Sequence, residues 1–395
     1  MIVRDSYISR IRGFYQSDLI KIITGVRRSG KSVILEQIRD ELQKQTDHII
    51  YLNFEDKAVI NMIPTADALI DYIDSKRGNQ FCYVFLDEIQ MLDDWAIVCK
   101  TLRLHNCSLF ITGSNSKLLS REFTKELSGR YVAFQVRPFV FEELEQYAVQ
   151  LNKNITVTDY LIWGGFPKRI EFDTEEQQRQ YLNDLDETIV VNDIINRYKI
   201  RKTDEFRKLV NYILVSNARI FSQNSIYEYM KSHGSRASAN TIKKWVGYLE
   251  EAYIISSIPQ YSTRTKTELE FYEKIYNCDV ALNSIRKFNA RYDLSHNLEN
   301  IVYNELLYRG YEVKVFNNKG REIDFIATKN GLVYYIQAAL SIAEDKAYER
   351  EFSAFKGLND FNQKIIITND DIDYSTSMIR HIRLADFLHN GLKQE

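Results

Sequence analysis

The chain has 395 residues, with 52 lysines and arginines against 54 aspartates and glutamates and 45% hydrophobic residues. That length allows two or three domains, and the balance excludes a disordered chain, a fibrous one and a bulk polycation. Only four prolines and 15 glycines interrupt it, which favours long regular elements.

In chain order, an apolar run at 19–24 (LIKIIT) predicts a strand that ends in GVRRSGKS. The next stretch, SVILEQIRDELQKQ, places Val33, Ile34, Ile38 and Leu42 on one helix face. A strand follows over 48–54, a helix over 66–76 and a fully apolar strand over 81–87. After these come a helix over 93–105, a strand over 108–112, a helix over roughly 116–127 and a strand over 131–136. Strands alternating with helices for 150 residues predict an α/β core, a parallel sheet covered on both faces. Residues 156–199 read as helical, broken by GGFP at 164–167. Between 204 and 260, three helical segments and the β stretch YIISSIP suggest a winged helix. Residues 295–390 return to mixed α/β.

No apolar run approaches the roughly 18 residues of a membrane span, and the N-terminus lacks the pattern of a signal peptide. Cys82, Cys99, Cys107 and Cys278 show no metal spacing and read as buried free thiols. The expectation is a cytoplasmic protein with no membrane partner.

Gly25 to Ser32 match the pattern GxxxxGK(S/T) between a strand and a helix. In such a loop the backbone from Gly25 through Arg28, Ser29, Gly30 and Val33 turns its N–H groups towards phosphates. Lys31 neutralises β/γ charge and the Ser32 hydroxyl ligates Mg²⁺. The second half of the site is expected at the end of another buried strand, and YVFLDEIQ supplies it. There Asp87 would hold the magnesium, and Glu88 would orient and deprotonate the attacking water.

With GVRRSGKS, LDEIQ, ITGSNSKLLSRE (111–122), LSGRY (127–131) and GGFPKR (164–169) in view, the sequence resembles AAA+ ATPases of bacteria and archaea that carry a C-terminal domain of unknown function. The resemblance implies ATP as the nucleotide. It implies a polar γ-phosphate sensor at Asn115, with Ser114 next to it. It also implies an arginine finger at Arg130 that acts on a neighbouring subunit, hence a homo-oligomer, with Arg121 as a rival. Lys168 or Arg169 would be a second sensor opening a lid.

Between 231 and 266, Lys231, Arg236, Lys243, Lys244, Arg264 and Lys266 face only Glu250 and Glu251. Such a basic helix, with Trp245 beside it, suits duplex DNA, while Trp245 reads equally well as a core anchor. The last hundred residues resemble the PD-(D/E)xK nuclease fold, with Glu299, Asp324 and a third element at YIQAAL. Gln337 stands at the family's Glu position and Ala339 at its Lys position, which implies lost or weakened cleavage unless Lys346 substitutes.

The sequence therefore predicts four parts: a P-loop AAA+ core (1–154), a helical lid (155–202), a winged-helix module (203–290) and a degenerate nuclease-like domain (291–395). The expected activity is Mg²⁺-dependent ATP hydrolysis associated with DNA. The alternatives are a slow nucleotide-dependent switch acting on protein partners and an ATP-regulated nuclease.

Overall fold

The apolar runs in the first third of the chain become neighbours in one parallel sheet. The computed structural model describes residues 2–114, 127, 129–262, 267–287, 291–318 and 321–393. The chain divides into two compact units, Met1–Pro138 with Glu251–Tyr253 and Phe139–Glu250 with Ile254–Glu395.

In the first unit, α1 (Asp5–Arg12) precedes β1 (Ile20–Thr24), α2 (Lys31–Gln43), β2 (Ile49–Asn53), α3 (Lys57–Met62) and α4 (Ala66–Arg77). Then come β3 (Cys82–Asp87), α5 (Trp95–Leu104), β4 (Cys107–Gly113) and β5 (Tyr131–Gln135). The helix expected over 116–127 lies, apart from Leu127, outside the described residues. The strand order is β2-β3-β4-β1-β5, with every neighbouring pair parallel. Central β1, β3 and β4 are buried at every position, whereas the outer β2 and β5 are mostly not. A strand covered on both faces has no wet side, so its sequence reads as an unbroken apolar run. On one face Ile22, Leu86 and Ile111 pack against Leu69 and Ile73 of α4 and Val98 and Leu102 of α5. Alternate residues point to the other face, where Phe85 and Phe110 stack with centroids 4.7 Å apart. Helix α2 packs against β1, β3 and β4.

The second unit begins with α6 (Phe141–Gln150), α7 (Val157–Trp163) and α8 (Glu175–Thr188), which runs on as a π-helical stretch, Ile189–Asn196. It continues through α9 (Thr203–Val215), β6 (Arg219–Phe221), α10 (Gln223–Ser232), α11 (Ala239–Glu251), β7 (Ile255–Ser262), β8 (Thr267–Asn277) and α12 (Ala281–Ser284). The remaining elements are α13 (Leu294–Tyr308), β9 (Glu312–Asn318), β10 (Arg321–Lys329), β11 (Leu332–Ala339), α14 (Asp345–Ala354), β12 (Gln363–Thr368), β13 (Ile379–Arg383) and α15 (Leu384–Asn390). Several helix starts are written in the sequence. Thr156, Thr174 and Ser222 cap α7, α8 and α10, each in a reciprocal bond with the residue three further on.

Eight strands of this unit form one mixed sheet, ordered β13-β12-β11-β10-β9-β7-β8-β6. It runs across residue 290, where the sequence suggests a boundary, because β7 pairs with β9 in parallel. Strands β6 and β8 are absent from the sequence reading. No helix among the described residues is long and apolar enough to cross a membrane. The four cysteines are buried and form no disulfide.

Candidate functional site

The loop between β1 and α2 is shaped by two glycines. Gly25 has φ +143° and lies so close to β5 that a Cβ there would sit 2.1 Å from the Val136 carbonyl oxygen. Gly30, with φ +94°, turns the chain into α2 and leaves that helix start facing the loop. Lys31 is buried and its Nζ donates to the Val26 carbonyl at 3.1 Å. Arg28 also has positive φ and is exposed, Val33 is half-buried, and the buried Ser29 hydroxyl has no hydrogen-bond partner among the described residues. Beneath the loop, the buried guanidinium of Arg4 donates through Nη1 to the Ser29 carbonyl at 2.7 Å and to the Arg137 carbonyl at 3.0 Å.

The sheet brings the second motif to this loop. Since β4 lies between β1 and β3, the three strand ends stand side by side. Ser32 Oγ donates to Asp87 Oδ1 at 3.1 Å, Tyr51 Oη donates to Asp87 Oδ2 at 3.2 Å, and Thr112 Oγ1 also donates to Oδ1. Burial raises the Asp87 carboxyl above the ordinary aspartate range, and the hydroxyls of Thr112 and Ser32 work against that rise. Glu88 has φ +51° and its N–H donates to Thr112 Oγ1 at 2.9 Å. Its Oε2 accepts from the Ser114 N–H at 3.3 Å and from the Gln90 side-chain amide, and its Oε1 is 4.0 Å from Lys31 Nζ.

Lys31, Ser32, Asp87 and Glu88 are thus brought together. A cradle that only glycine fits, a buried hydroxyl without a partner and a hydroxyl–carboxylate pair suit a phosphate chain and a divalent cation. Arg4, Tyr51, Gln90 and Thr112 are missing from the sequence reading. Residue spacing carries no signal for Arg4; Tyr51 and Thr112 become visible only once strand neighbours are known, and Gln90 meets Glu88 locally, two residues along the same stretch.

Other expected residues fall elsewhere. Asn115 and Arg121 lie outside the described residues. Arg130 is exposed at the start of β5, where its carbonyl accepts from the Ile20 N–H at 3.0 Å, so it stands at the opposite end of the sheet from the loop. Lys168, in the second unit, is exposed and paired with Glu171. Its neighbour Arg169 is buried and donates to the Gly164 carbonyl through Nη2 at 2.8 Å. Trp245 is a core anchor, buried edge-on against Phe206, which removes it from any phosphate contact. Lys231, Arg236, Lys243 and Lys244 are exposed, whereas Arg264 and Lys266 are not among the residues whose side chains are described.

A second constellation lies in the last hundred residues. Glu299 on α13, Asp324 on β10 and Gln337 on β11 line one cavity of about 630 Å³, together with Lys274, Glu322, Arg350 and Glu351. Ala339 packs in an apolar cluster with Phe316 and Ile366. Lys346 is exposed and does not line that cavity.

Residues 17–145 match a family model described as an AAA domain, and residues 154–290 match one described as a domain of unknown function (DUF8612). A protein of Haemophilus influenzae, described as uncharacterized, is 34% identical over 381 residues, covering 93% of each chain. One of Methanocaldococcus jannaschii with the same description is 30% identical over 373 residues, covering 89% of this chain and 82% of that one. Among solved structures, the Walker-type ATPase of Pyrococcus abyssi is similar with a TM-score of 0.48 and 14% identity, over 72% of this chain and 95% of that one.

Proposed function

The chain belongs to the family it shares with the Haemophilus influenzae and Methanocaldococcus jannaschii proteins, with an AAA-type P-loop ATPase domain over residues 17–145, and from that premise we propose Mg²⁺-dependent ATP hydrolysis at the ends of β1, β4 and β3. The observation that carries this reading is the meeting of Lys31 and Ser32 with Asp87 and Glu88 of a distant stretch of sequence, Ser32 hydrogen-bonded to Asp87 and Lys31 Nζ 4.0 Å from Glu88.

The roles follow from the side chains. Lys31 and the loop amides from Gly25 to Val33 bind the phosphates, with the start of α2 adding its partial positive charge. Ser32 and Asp87 hold the cation, and Thr112 fixes the Asp87 carboxylate towards it. Magnesium, when bound, would neutralise charge on the transferring phosphoryl oxygens. Glu88 takes the proton of the attacking water. Asn115 and Lys168 are proposed as phosphate sensors, and Arg130 as a finger acting in a homo-oligomer. Duplex DNA is the proposed partner of the exposed cations on α10 and α11, whose order of three helices and a β ribbon suits a winged helix.

One observation favours a second reading, a slow nucleotide-dependent switch. Glu88 Oε2 is held by Gln90 and Ser114, and its Oε1 lies 4.0 Å from Lys31, contacts that fix the carboxylate in a resting arrangement. ATP turnover measured over a range of protein concentrations, with and without duplex DNA, separates the two. Turnover per subunit that rises with concentration and with DNA is the expected result. Slow turnover indifferent to both would establish the switch.

A further inference from the structure

In the last hundred residues and the strand beside them, three carboxylates converge on a cation that the chain itself supplies. Lys274 Nζ lies 2.6 Å from Glu299 Oε1, 2.6 Å from Glu322 Oε1 and 3.2 Å from Asp324 Oδ1. Its side chain is only 5% exposed. An ammonium has three N–H donors and no acceptor, and here each donor has an acceptor within reach. Two residues further along β8, the Tyr276 hydroxyl donates to the same Glu299 oxygen at 2.7 Å.

The resemblance of this segment to the PD-(D/E)xK fold implies a divalent cation between Glu299, Asp324 and the residue at 337. The residues do not fit one. Asp324 Oδ2 accepts from the Ala338 N–H at 2.9 Å, and Oδ1 faces the lysine. Gln337 accepts from the Asp324 N–H at 2.7 Å and donates to Glu351 Oε2 at 2.7 Å, so both ends of its amide tie β10 to α14. A magnesium ion needs oxygens at about 2.0–2.1 Å in near-octahedral array. An ammonium already in contact with all three carboxylates blocks that approach by size and by like charge. Burial pulls the Lys274 pKa down, but Glu299, Asp324 and Glu322 outweigh it and hold it well above the ordinary value. Of the other arginines in the cavity wall, Arg350 lies on Glu351 at 2.7 Å and Arg219 on Asp293 at 3.8 Å, while Arg321 is exposed.

We infer that Lys274 takes the place of a divalent cation, making this carboxylate cluster a metal-free centre held together by a lysine from β8. The lysine of the nuclease pattern is absent from β11, where Ala339 stands, and the cation comes instead from β8, which β9 and β7 separate from β10 in the sheet order. A cluster held in this way pins β8 to α13 and β10 and supplies no metal-activated water. The inference does not rest on the reading of the nucleotide site.

Mn²⁺ binding tests it. The full chain carrying Asp87→Asn, which disables the nucleotide site's own carboxylate, is titrated with Mn²⁺ in the absence of nucleotide, and free ion is read by electron paramagnetic resonance. No uptake that depends on Asp324 is expected. Adding Lys274→Met should create one Mn²⁺ site that a further Asp324→Asn removes. Saturating Mn²⁺ should then raise the melting temperature of the Lys274→Met chain by about 5 °C or more. Uptake by the chain that retains Lys274, abolished by Asp324→Asn, would overturn the inference. So would an absence of uptake after Lys274→Met. If Lys274→Met is insoluble without metal, recovery on refolding in Mn²⁺ supports it, and failure to fold with or without Mn²⁺ counts against it.

Discussion

Lys21 is a charged residue in the middle of a strand buried at every position, and it survives there through its neighbours. Its amine donates to Ser108 Oγ at 2.7 Å and to the Ser17 carbonyl at 3.1 Å, and lies 4.6 Å from the centroid of the Phe110 ring. Among the described residues no carboxylate is in contact, and burial outweighs the more distant Asp18 and pulls its pKa down to about 7. The unfolded chain therefore holds this proton more tightly than the folded one between about pH 7 and the ordinary lysine range. Stability rises with pH across that window, by about 2 kcal/mol from pH 7 to pH 9 for this group alone. Urea unfolding of Lys21→Met should lack that increment, read as the difference from the parent chain at the two pH values. Equal slopes for both proteins would show that the amine keeps its ordinary pKa and stays protonated in the folded chain. At the nucleotide site the single-residue expectations are sharper. Lys31→Ala should lose ATP binding, while Glu88→Gln should bind ATP and turn it over about 10²-fold or more slowly. A Glu88→Gln protein with parental turnover would remove Glu88 from the role of base.

At the scale of elements, one substitution made at two glycines should have opposite signs. Gly165 follows α7, where its carbonyl accepts from the Phe139 N–H at 2.8 Å and its N–H donates to Asp279 Oδ2 at 2.7 Å. A Cβ there would lie 1.8 Å from the Phe139 carbonyl oxygen, a backbone atom that cannot step aside. Gly165→Ala should cost about 3 kcal/mol or more, seen as a lower melting temperature. Gly247 sits inside α11 with no heavy atom within 4 Å of an added Cβ. There alanine should stabilise by about 0.5–1 kcal/mol, because the unfolded chain loses freedom and the helix loses nothing. The same contrast explains what could be read in advance. Strands β1, β3 and β4 announce themselves because burial on both faces makes them continuously apolar, and the two nucleotide motifs hang from their ends. Thr112 does not announce itself. It meets Asp87 only because Leu86 pairs with Ile111, a parallel register set by distant segments. Strand β8 was hidden for another reason: Glu268, Glu270, Glu273 and Lys274 make its sequence look like solvated loop. Its lysine belongs to a buried cluster that only the eight-stranded sheet assembles.

For the whole molecule, the position of Arg130 is the most consequential. Strands β1 and β5 run in parallel with Ile20 beside Tyr131, so Arg130 marks the end of the sheet where β1 begins. The phosphate loop leaves β1 at its other end, five residues or about 16 Å away. An arginine side chain does not span that distance, so Arg130 cannot reach the nucleotide bound by its own chain without refolding the strand. An exposed arginine at that end is instead available to the site of a neighbouring copy. If it acts as a finger there, Arg130→Ala should lower turnover by on the order of 10³-fold while leaving ATP affinity nearly intact. Loss of a structural contact would also lower turnover, so mixing provides the decisive readout. Arg130→Ala subunits keep Glu88, and Glu88→Gln subunits keep Arg130. Each homogeneous preparation should turn over slowly, yet a mixture pairs an intact base with an intact finger at some interfaces. Turnover that rises on mixing, greatest near equal proportions, is the expected outcome. A mixture no more active than its parts would mean that Arg130 does not act between subunits, and the requirement for an oligomer would fall with it.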